Sequence, residues 1–138
     1  LPLPPTAYAE MLGEKIKKGS RSGHGEINVW LINTGWTGGS YGEGNRIELS
    51  YTRGMIKAAI TGALNYVDYT INPVFTLAMP TKCPDVTNAI LNPRDTWRNE
   101  EEYDKVALRL AELFASNFEK FKTRATDAII NAGPVLAE

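Results

Sequence analysis

The chain has 138 residues, the size of one domain, and a globular fold of this length buries roughly two thirds of its unfolded surface. Its hydrophobic residues make up 43% and its charged residues 22%, which argues against a disordered or fibrous class. Fifteen Lys and Arg against sixteen Asp and Glu give a formal net charge of -1, so no basic excess indicates nucleic acid as a partner.

The single cysteine and the single histidine limit the possible disulfides and metal sites. Cys83 cannot form an intrachain disulfide and has no companion at metal-ligand spacing, so we expect a reducing, cytoplasmic location. His24 lies in a Gly/Ser-rich loop, where an exposed histidine is ordinary. No apolar run approaches the length of a membrane span, and we therefore expect a soluble protein with no membrane partner.

The N-terminal part predicts a helix, a loop and a strand. Thr6 can cap a helix that follows a run of prolines, and Gly19 stops that helix after two lysines. The helix presents one apolar face at helical spacing, formed by Tyr8, Met11, Leu12 and Ile16. Residues 27–32 are mostly β-branched or aromatic and too few for a typical helix, so they predict a strand buried on both faces.

Residues 29–53 hold the most distinctive pattern, because five of the chain's twelve glycines fall there. These glycines are Gly35, Gly38, Gly39, Gly42 and Gly44. Glycine tolerates positive φ and lets a backbone approach a ligand, so the cluster favours a binding loop or a strained loop. After the loop, residues 47–50 alternate between apolar and polar and predict a second short strand, and a helix is predicted to open near Thr52.

The rest of the chain predicts short elements and one long helix. The short elements are a turn at 65–72, a strand at 74–79 closed by Pro80, a helix at 84–91 and a final helical turn at 125–131. Asn99, with Glu102 three residues on, predicts the start of the longest helix. Its predicted core stripe consists of Tyr103, Val106, Ala107, Leu110, Leu113, Phe114 and Phe121.

The glycine loop lacks the chemistry of a phosphate loop. The spacing from Gly39 to Gly44 is G-x-x-x-x-G, but Asn45 and Arg46 follow where a phosphate loop needs Lys and then Ser or Thr. The dinucleotide-binding pattern fails too, because Ile47 stands where its third glycine is required. The glycines therefore predict a shaped turn and not a phosphate cradle.

The far end of the loop indicates a small-ligand site. Arg46 offers a planar charged fork, Ile47 an apolar contact and Thr52 a hydroxyl at a helix start, a set that suits an anion or a nucleotide. One histidine cannot make a zinc cluster, and no spacing brings two carboxylates together for acid-base work. We therefore predict no catalytic residue and no metal ligand in this chain.

Several motifs in order carry a resemblance to a known family. They are YAEML at 8–12, NTGWTGG at 33–39, YG at 41–42, RI at 46–47, YTR at 51–53, LNPRDTW at 91–97 and AGP at 132–134. Together they resemble the C-terminal part of ATP-dependent phosphoenolpyruvate carboxykinase, and the likeness covers essentially the whole chain. The resemblance implies an α/β (mixed α+β) fold, with short strands and about four to five helices. It also implies that residues 1–138 are one unit, the C-terminal portion of a mononucleotide-binding domain.

The function that the resemblance implies is a gluconeogenic lyase. The family decarboxylates oxaloacetate and phosphorylates the enolate with ATP, giving phosphoenolpyruvate, ADP and CO2, with Mg2+ and Mn2+ assisting. Its adenosine-binding residues correspond here to Arg46, Ile47 and Thr52, whereas its phosphate loop, metal ligands and oxaloacetate-binding arginine lie upstream of this region. The chain departs from the family at Asn45, where a basic residue is usual, and at Gly54, which costs about 1 kcal/mol of helix propensity.

Three hypotheses follow from these observations. The first is a C-terminal part of the carboxykinase that is inactive alone, and the second is a free-standing adenine-nucleotide binding module. The third, an interaction domain without a ligand, is disfavoured by the density of family motifs. If the chain is a part of a larger protein, an apolar face is left uncovered, and we expect dimerisation or the presence of the remainder of the same protein as a separate piece.

Overall fold

The computed structural model describes residues 3–21, 27–39 and 42–136. The α-helices found there are α1 Pro5–Arg21, α2 Leu49–Ile60, α3 Glu100–Lys122 and α4 Asp127–Ile130. The strands are β1 Trp36–Thr37, β2 Asn45–Arg46, β3 Tyr69–Ile71 and β4 Ala78–Pro80, and short 3-10 helices cover Ala63–Tyr66, Asn88–Ile90 and Pro93–Thr96. The predicted mixed α+β class with short strands is confirmed. Within the described residues, no helix is long and apolar enough to cross a membrane.

The described residues fall into two compact units. The first takes its residues from Leu1–Trp30 and Ala115–Gly133, and the second takes its residues from Leu31–Phe114 and Pro134–Glu138. That residues 1–138 act as one functional unit stays a prediction.

In the first unit, helix α1 confirms the first predicted helix. Its first turn begins with Pro5, whose fixed φ and missing N–H suit that position. The helix continues past Gly19 to Arg21, two residues beyond the predicted stop. His24, with the rest of residues 22–26, lies outside the described residues.

The strand predicted at 27–32 is wrong. These residues form no regular element, and Leu31 is 79% exposed where burial on both faces was expected. A β-branched run favours an extended backbone, but a strand also needs a hydrogen-bonding neighbour. Within the described residues no strand pairs with this segment.

In the second unit, two antiparallel hairpins replace the predicted second and third strands. Strand β1 pairs with β2 in the register Trp36 with Arg46 and Thr37 with Asn45. The strand predicted at 47–50 is wrong, because α2 already begins at Leu49, after Glu48 in an extended conformation. Four alternating residues are too few to separate a strand from the first turn of an amphipathic helix.

The second hairpin joins β3 to β4 through a turn at Asn72. The register pairs Tyr69 with Pro80 and Ile71 with Ala78, so a strand lies inside the predicted turn 65–72. The buried Asn72 side chain accepts hydrogen bonds from Val74 N–H and Phe75 N–H, at 3.0 and 2.8 Å. The first half of the strand predicted at 74–79 is therefore a turn, because an Asx side chain offers the backbone a local alternative to the sheet.

Helix α3 begins as its sequence predicts. The Asn99 side chain accepts hydrogen bonds from the N–H groups of Glu101 and Glu102, at 2.9 and 3.4 Å, and so caps the first turn. Much of the predicted core stripe is nevertheless exposed: Ala107 and Ala111 are buried, but Leu113 is 59% exposed. The final helical turn predicted at 125–131 is confirmed as α4.

Helix α2 packs closely against the segment around Val86. The helix predicted at 84–91 is reduced to Asn88–Ile90, and Val86 instead pairs with Cys83 in an isolated bridge. Gly54 on α2 is buried, and a Cβ there would lie 2.9 Å from Val86 Cγ2. Gly54 was expected only to loosen the helix, but it is the residue that lets this segment approach.

Candidate functional site

The three residues predicted to bind a ligand lie on neighbouring pieces of the second unit. Arg46 is exposed on β2, directly opposite Trp36 on β1. Ile47 follows it, half-buried, and its N–H donates to the Gly35 carbonyl at 2.9 Å. Thr52 lies in the first turns of α2, where it is only 7% exposed and its N–H donates to the Glu48 carbonyl at 3.2 Å. Backbone hydrogen bonds thus fix the residues that would carry the site.

The glycine loop between β1 and β2 is shaped by its own backbone. Gly38 has φ of +78°, a left-handed conformation that disfavours a side chain. A Cβ on Gly44 would lie 2.6 Å from the Thr37 carbonyl oxygen, so the loop crosses itself where only hydrogen fits. Gly38 and Gly44 are therefore required by the turn, whether or not a ligand is present.

The charges near the site leave Arg46 available to a ligand. Within the described residues, no carboxylate forms an ion pair with Arg46. On the same helix as Thr52, the Lys57 ammonium lies 3.7 Å from the Asp85 carboxylate, and both side chains are largely exposed. An exposed guanidinium without a carboxylate partner can meet an anion or stack on a planar ring without first breaking an ion pair.

A buried thiol lies beyond this ion pair. Burial, with a smaller contribution from the Asp85 carboxylate, raises the pKa of the Cys83 thiol. The thiol is therefore protonated at neutral pH, and a thiol is a poor nucleophile and metal ligand. Cys83 fits the expectation of a small packed residue in a turn.

A turn far along the chain supports the glycine loop, and sequence reasoning assigned it no role. The Thr96 hydroxyl oxygen lies 2.9 Å from Thr37 Oγ1 and 3.0 Å from the Gly38 nitrogen. Two residues earlier, the Arg94 guanidinium makes two bonds of 2.9 Å to the Asp104 carboxylate on α3. Both residues stand inside the LNPRDTW motif, which was the one available signal.

The described residues do not form a metal centre. No group of three or more His, Cys, Asp or Glu side chains within them is arranged to hold an ion. What the arrangement can do chemically is contact a ligand through an exposed guanidinium, an apolar side chain and a helix-borne hydroxyl.

Comparison with known proteins identifies the family. The family model described as phosphoenolpyruvate carboxykinase matches residues 1–89, more than half of the chain. The chain belongs to the phosphoenolpyruvate carboxykinase family. The suspected resemblance is therefore confirmed for the family.

Curated relatives of this chain bear the name phosphoenolpyruvate carboxykinase (ATP). The chain is 53% identical over 134 residues to the protein from Caldanaerobacter subterraneus subsp. tengcongensis, an alignment that covers 97% of this chain. It is 51% identical to that from Brevibacillus brevis over 97% of its length, and 50% identical to that from Flavobacterium johnsoniae over 98%. In each case this chain spans only 24% of the relative, and the matched part is C-terminal.

Proposed function

We propose that this chain is the adenosine-binding part of an ATP-dependent phosphoenolpyruvate carboxykinase. The whole enzyme is a lyase that converts oxaloacetate and ATP to phosphoenolpyruvate, ADP and CO2 in gluconeogenesis, in the cytoplasm. The observation that carries the proposal is the 53% identity, over 97% of this chain, to a protein named phosphoenolpyruvate carboxykinase (ATP). Because the chain spans 24% of that relative, the activity is proposed for the intact protein and not for these residues alone.

The geometry of the hairpin and α2 supports the roles of Arg46, Ile47 and Thr52. Arg46 is exposed and free of a carboxylate partner within the described residues, so its planar fork can approach the nucleoside. Ile47 supplies an apolar surface whose backbone is fixed by the bond to Gly35. No side-chain hydrogen bond within the described residues engages the Thr52 hydroxyl, so it can bond a ligand without losing a partner.

The remainder of the same protein would supply the phosphate and metal chemistry. The glycine loop lacks the Lys and Ser/Thr of a phosphate loop, and the described residues hold no metal cluster. When bound, Mg2+ and Mn2+ would neutralise charge on the phosphates of ATP and orient the transfer. The residues of this chain would hold only the nucleoside end, away from the reacting phosphate.

Exposed apolar side chains support the presence of that remainder. Within the described part of the chain, no large side chain is fully buried. On α3, an exposed apolar stripe runs along the helix and consists of Val106, Leu110 and Leu113. A contiguous apolar face on a helix marks an interface more often than it faces water, and the missing three quarters of the enzyme would cover it.

A chimeric enzyme tests the proposal. The C-terminal part of the Caldanaerobacter relative is replaced by these 138 residues, and phosphoenolpyruvate formation is measured at varied ATP and oxaloacetate. We expect an active enzyme in which Arg46→Ala raises KM for ATP by about tenfold, because hydrogen bonds from charged groups contribute about 1.5–3 kcal/mol. KM for oxaloacetate should stay unchanged. Arg124→Ala, a substitution of an exposed arginine after the end of α3, is the matched control.

Two further measurements separate the proposal from its alternative. Photolabelling of the chimera with 8-azido-ATP should place the label on peptides that contain Arg46 or Thr52, whether or not the chimera turns over. Labelling confined to the rest of the protein would overturn the proposed role. Calorimetry of the 138-residue chain should detect no strong ATP binding; tight binding that Arg46→Ala abolishes would favour a free-standing nucleotide-binding module.

A further inference from the structure

We propose that Thr96 is a positioning residue for ATP, because its hydroxyl ties the glycine loop to the 92–97 turn and thereby sets the position of Arg46 and Ile47. The inference rests on the proposed adenosine-binding role of those two residues. Thr96 itself needs no contact with the nucleotide. Its effect reaches the ligand through strands β1 and β2.

The hydroxyl of Thr96 uses its full hydrogen-bonding capacity. It donates to the Pro93 carbonyl at 2.7 Å and accepts from the Thr37 hydroxyl at 2.9 Å and from the Gly38 N–H at 3.0 Å. A hydroxyl has one proton to donate and two lone pairs to accept with, so all three are engaged. A side chain of the same shape without oxygen would lose every one of these bonds.

The hydrogen bonds of Thr96 anchor β1, whereas the residues proposed to bind the ligand are on or directly after β2: Arg46 lies on it and Ile47 follows it. Thr37 belongs to β1 and Gly38 is the first residue after it. Strand β1 places Trp36 opposite Arg46, and the Gly35 carbonyl accepts from Ile47 N–H at 2.9 Å. A two-residue strand pair is marginal by itself, so its position depends on an external anchor.

Side-chain contacts also hold the 92–97 turn against α3. The Arg94 guanidinium forms its two-bond pair with Asp104 and also pairs with Glu100. Trp97 packs edge-to-face on Tyr103, with ring centroids 5.8 Å apart. Within the turn, Asn92 Oδ1 accepts from Arg94 N–H at 3.3 Å. A 23-residue helix thus provides a rigid base for the Thr96 hydroxyl.

The close approach of Gly38 to Thr96 indicates that the local backbone is specifically shaped for this contact. A Cβ on Gly38 would lie 2.9 Å from the Thr96 carbonyl oxygen, shorter than real side-chain contacts allow. The glycine therefore meets two requirements, a positive φ and the space for this turn. Thr37 Oγ1 adds a third feature, since its only described side-chain bond goes to Thr96.

The test compares Thr96→Val with Thr96→Ser in the chimeric enzyme. Thr96→Val removes the oxygen at nearly constant volume, and we expect KM for ATP to rise about fivefold, because all three hydrogen bonds of the hydroxyl are lost. The kcat and KM for oxaloacetate should stay within twofold of the parent, and Thr96→Ser should restore KM for ATP. A purely structural role would instead lower the amount of active enzyme, reducing kcat without changing KM for ATP.

A second readout follows the loop itself and does not need turnover. Hydrogen exchange of the 138-residue chain should be faster at residues 35–38 in Thr96→Val than in Thr96→Ser, with α3 unchanged. If Arg46→Ala raises KM for ATP and Thr96→Val changes neither KM nor exchange, this inference fails and the proposed function stands. If exchange accelerates but Arg46→Ala leaves KM unchanged, the proposed function fails, and with it the role of Thr96 in ATP binding.

Discussion

Arg94 and Asp104 face each other with two parallel hydrogen bonds of 2.9 Å, from Nε to Oδ1 and from Nη2 to Oδ2. This fork geometry matches the two carboxylate oxygens and cannot be reproduced by a lysine. The hydrogen bonds from Arg94 hold the pKa of the Asp104 carboxyl below its ordinary value, against a smaller opposing effect of burial. The pair therefore joins the 92–97 turn to α3 most strongly while Asp104 is ionised.

Acid should weaken the fold through this pair. Since the pKa of Asp104 is lower in the folded state, its stabilisation is fully present above the ordinary aspartate pKa and is lost as pH falls through the lower, folded pKa. Urea unfolding midpoints measured at several pH values should fall less steeply below about pH 4 in Asp104→Asn than in the parent. Arg94→Lys should give an intermediate slope; a parental slope in Asp104→Asn would contradict the assignment.

Gly54→Ala should destabilise the chain although alanine is the better helix former. The gain in helix propensity is about 1 kcal/mol, whereas forcing a methyl into a filled space costs about 1–3 kcal/mol. Here the new Cβ would meet Val86 Cγ2 at 2.9 Å. We expect a net loss of about 1 kcal/mol in the free energy of unfolding, measured by urea denaturation.

Gly13→Ala is the matched control for that substitution. Gly13 also lies inside a helix, α1, but nothing lies within 4 Å of the Cβ that would be added. It should therefore raise the free energy of unfolding by about 0.5–1 kcal/mol. Equal effects of the two substitutions would show that the contact with Val86 is not the cause. The same conclusion would follow if no substitution at Val86 relieved the loss of stability in Gly54→Ala.

Asn72→Ala should loosen the hairpin of β3 and β4. The buried Asn72 side chain accepts from Val74 N–H and Phe75 N–H, and removing the acceptor leaves two backbone donors without their partner. An unsatisfied buried donor costs about 1–3 kcal/mol, which a lower thermal unfolding midpoint would report. Asn72→Asp keeps an acceptor oxygen and should stay near the parent; comparable losses in both variants would contradict this explanation.

The three long helices were predictable because their signals are local. Asn99 caps α3 as the sequence indicates. The helix predicted to open near Thr52 is α2, which begins three residues earlier, at Leu49. Caps and a 3.6-residue period depend on neighbours within a few positions. The family could also be recognised from the sequence, because motifs in a fixed order can be read without knowing how the chain packs.

The strands were not predictable, because pairing depends on distant residues. Residues 27–32 have strand-like composition, but no strand among the described residues pairs with them, whereas β3 lies in a polar stretch that is typical of a turn. The same limit applies to the candidate site. The sequence indicates only that Gly54 lowers the helix propensity of α2, because its contact with Val86 is not local in the chain. The hydrogen bond from Thr37 to Thr96 likewise joins residues 59 positions apart.

The hydrogen bond between Thr37 and Thr96 also has an entropic cost, because it joins residues 59 positions apart in the chain. Ordering a long segment to make one contact costs more conformational entropy than making a local turn. The hydrogen bonds described from Thr37 and Gly38 to the 92–97 turn both end on one hydroxyl, that of Thr96. Strand β1 is therefore expected to leave this anchor in local openings that cost less free energy than unfolding of the protein, and to carry with it Arg46, which pairs with Trp36.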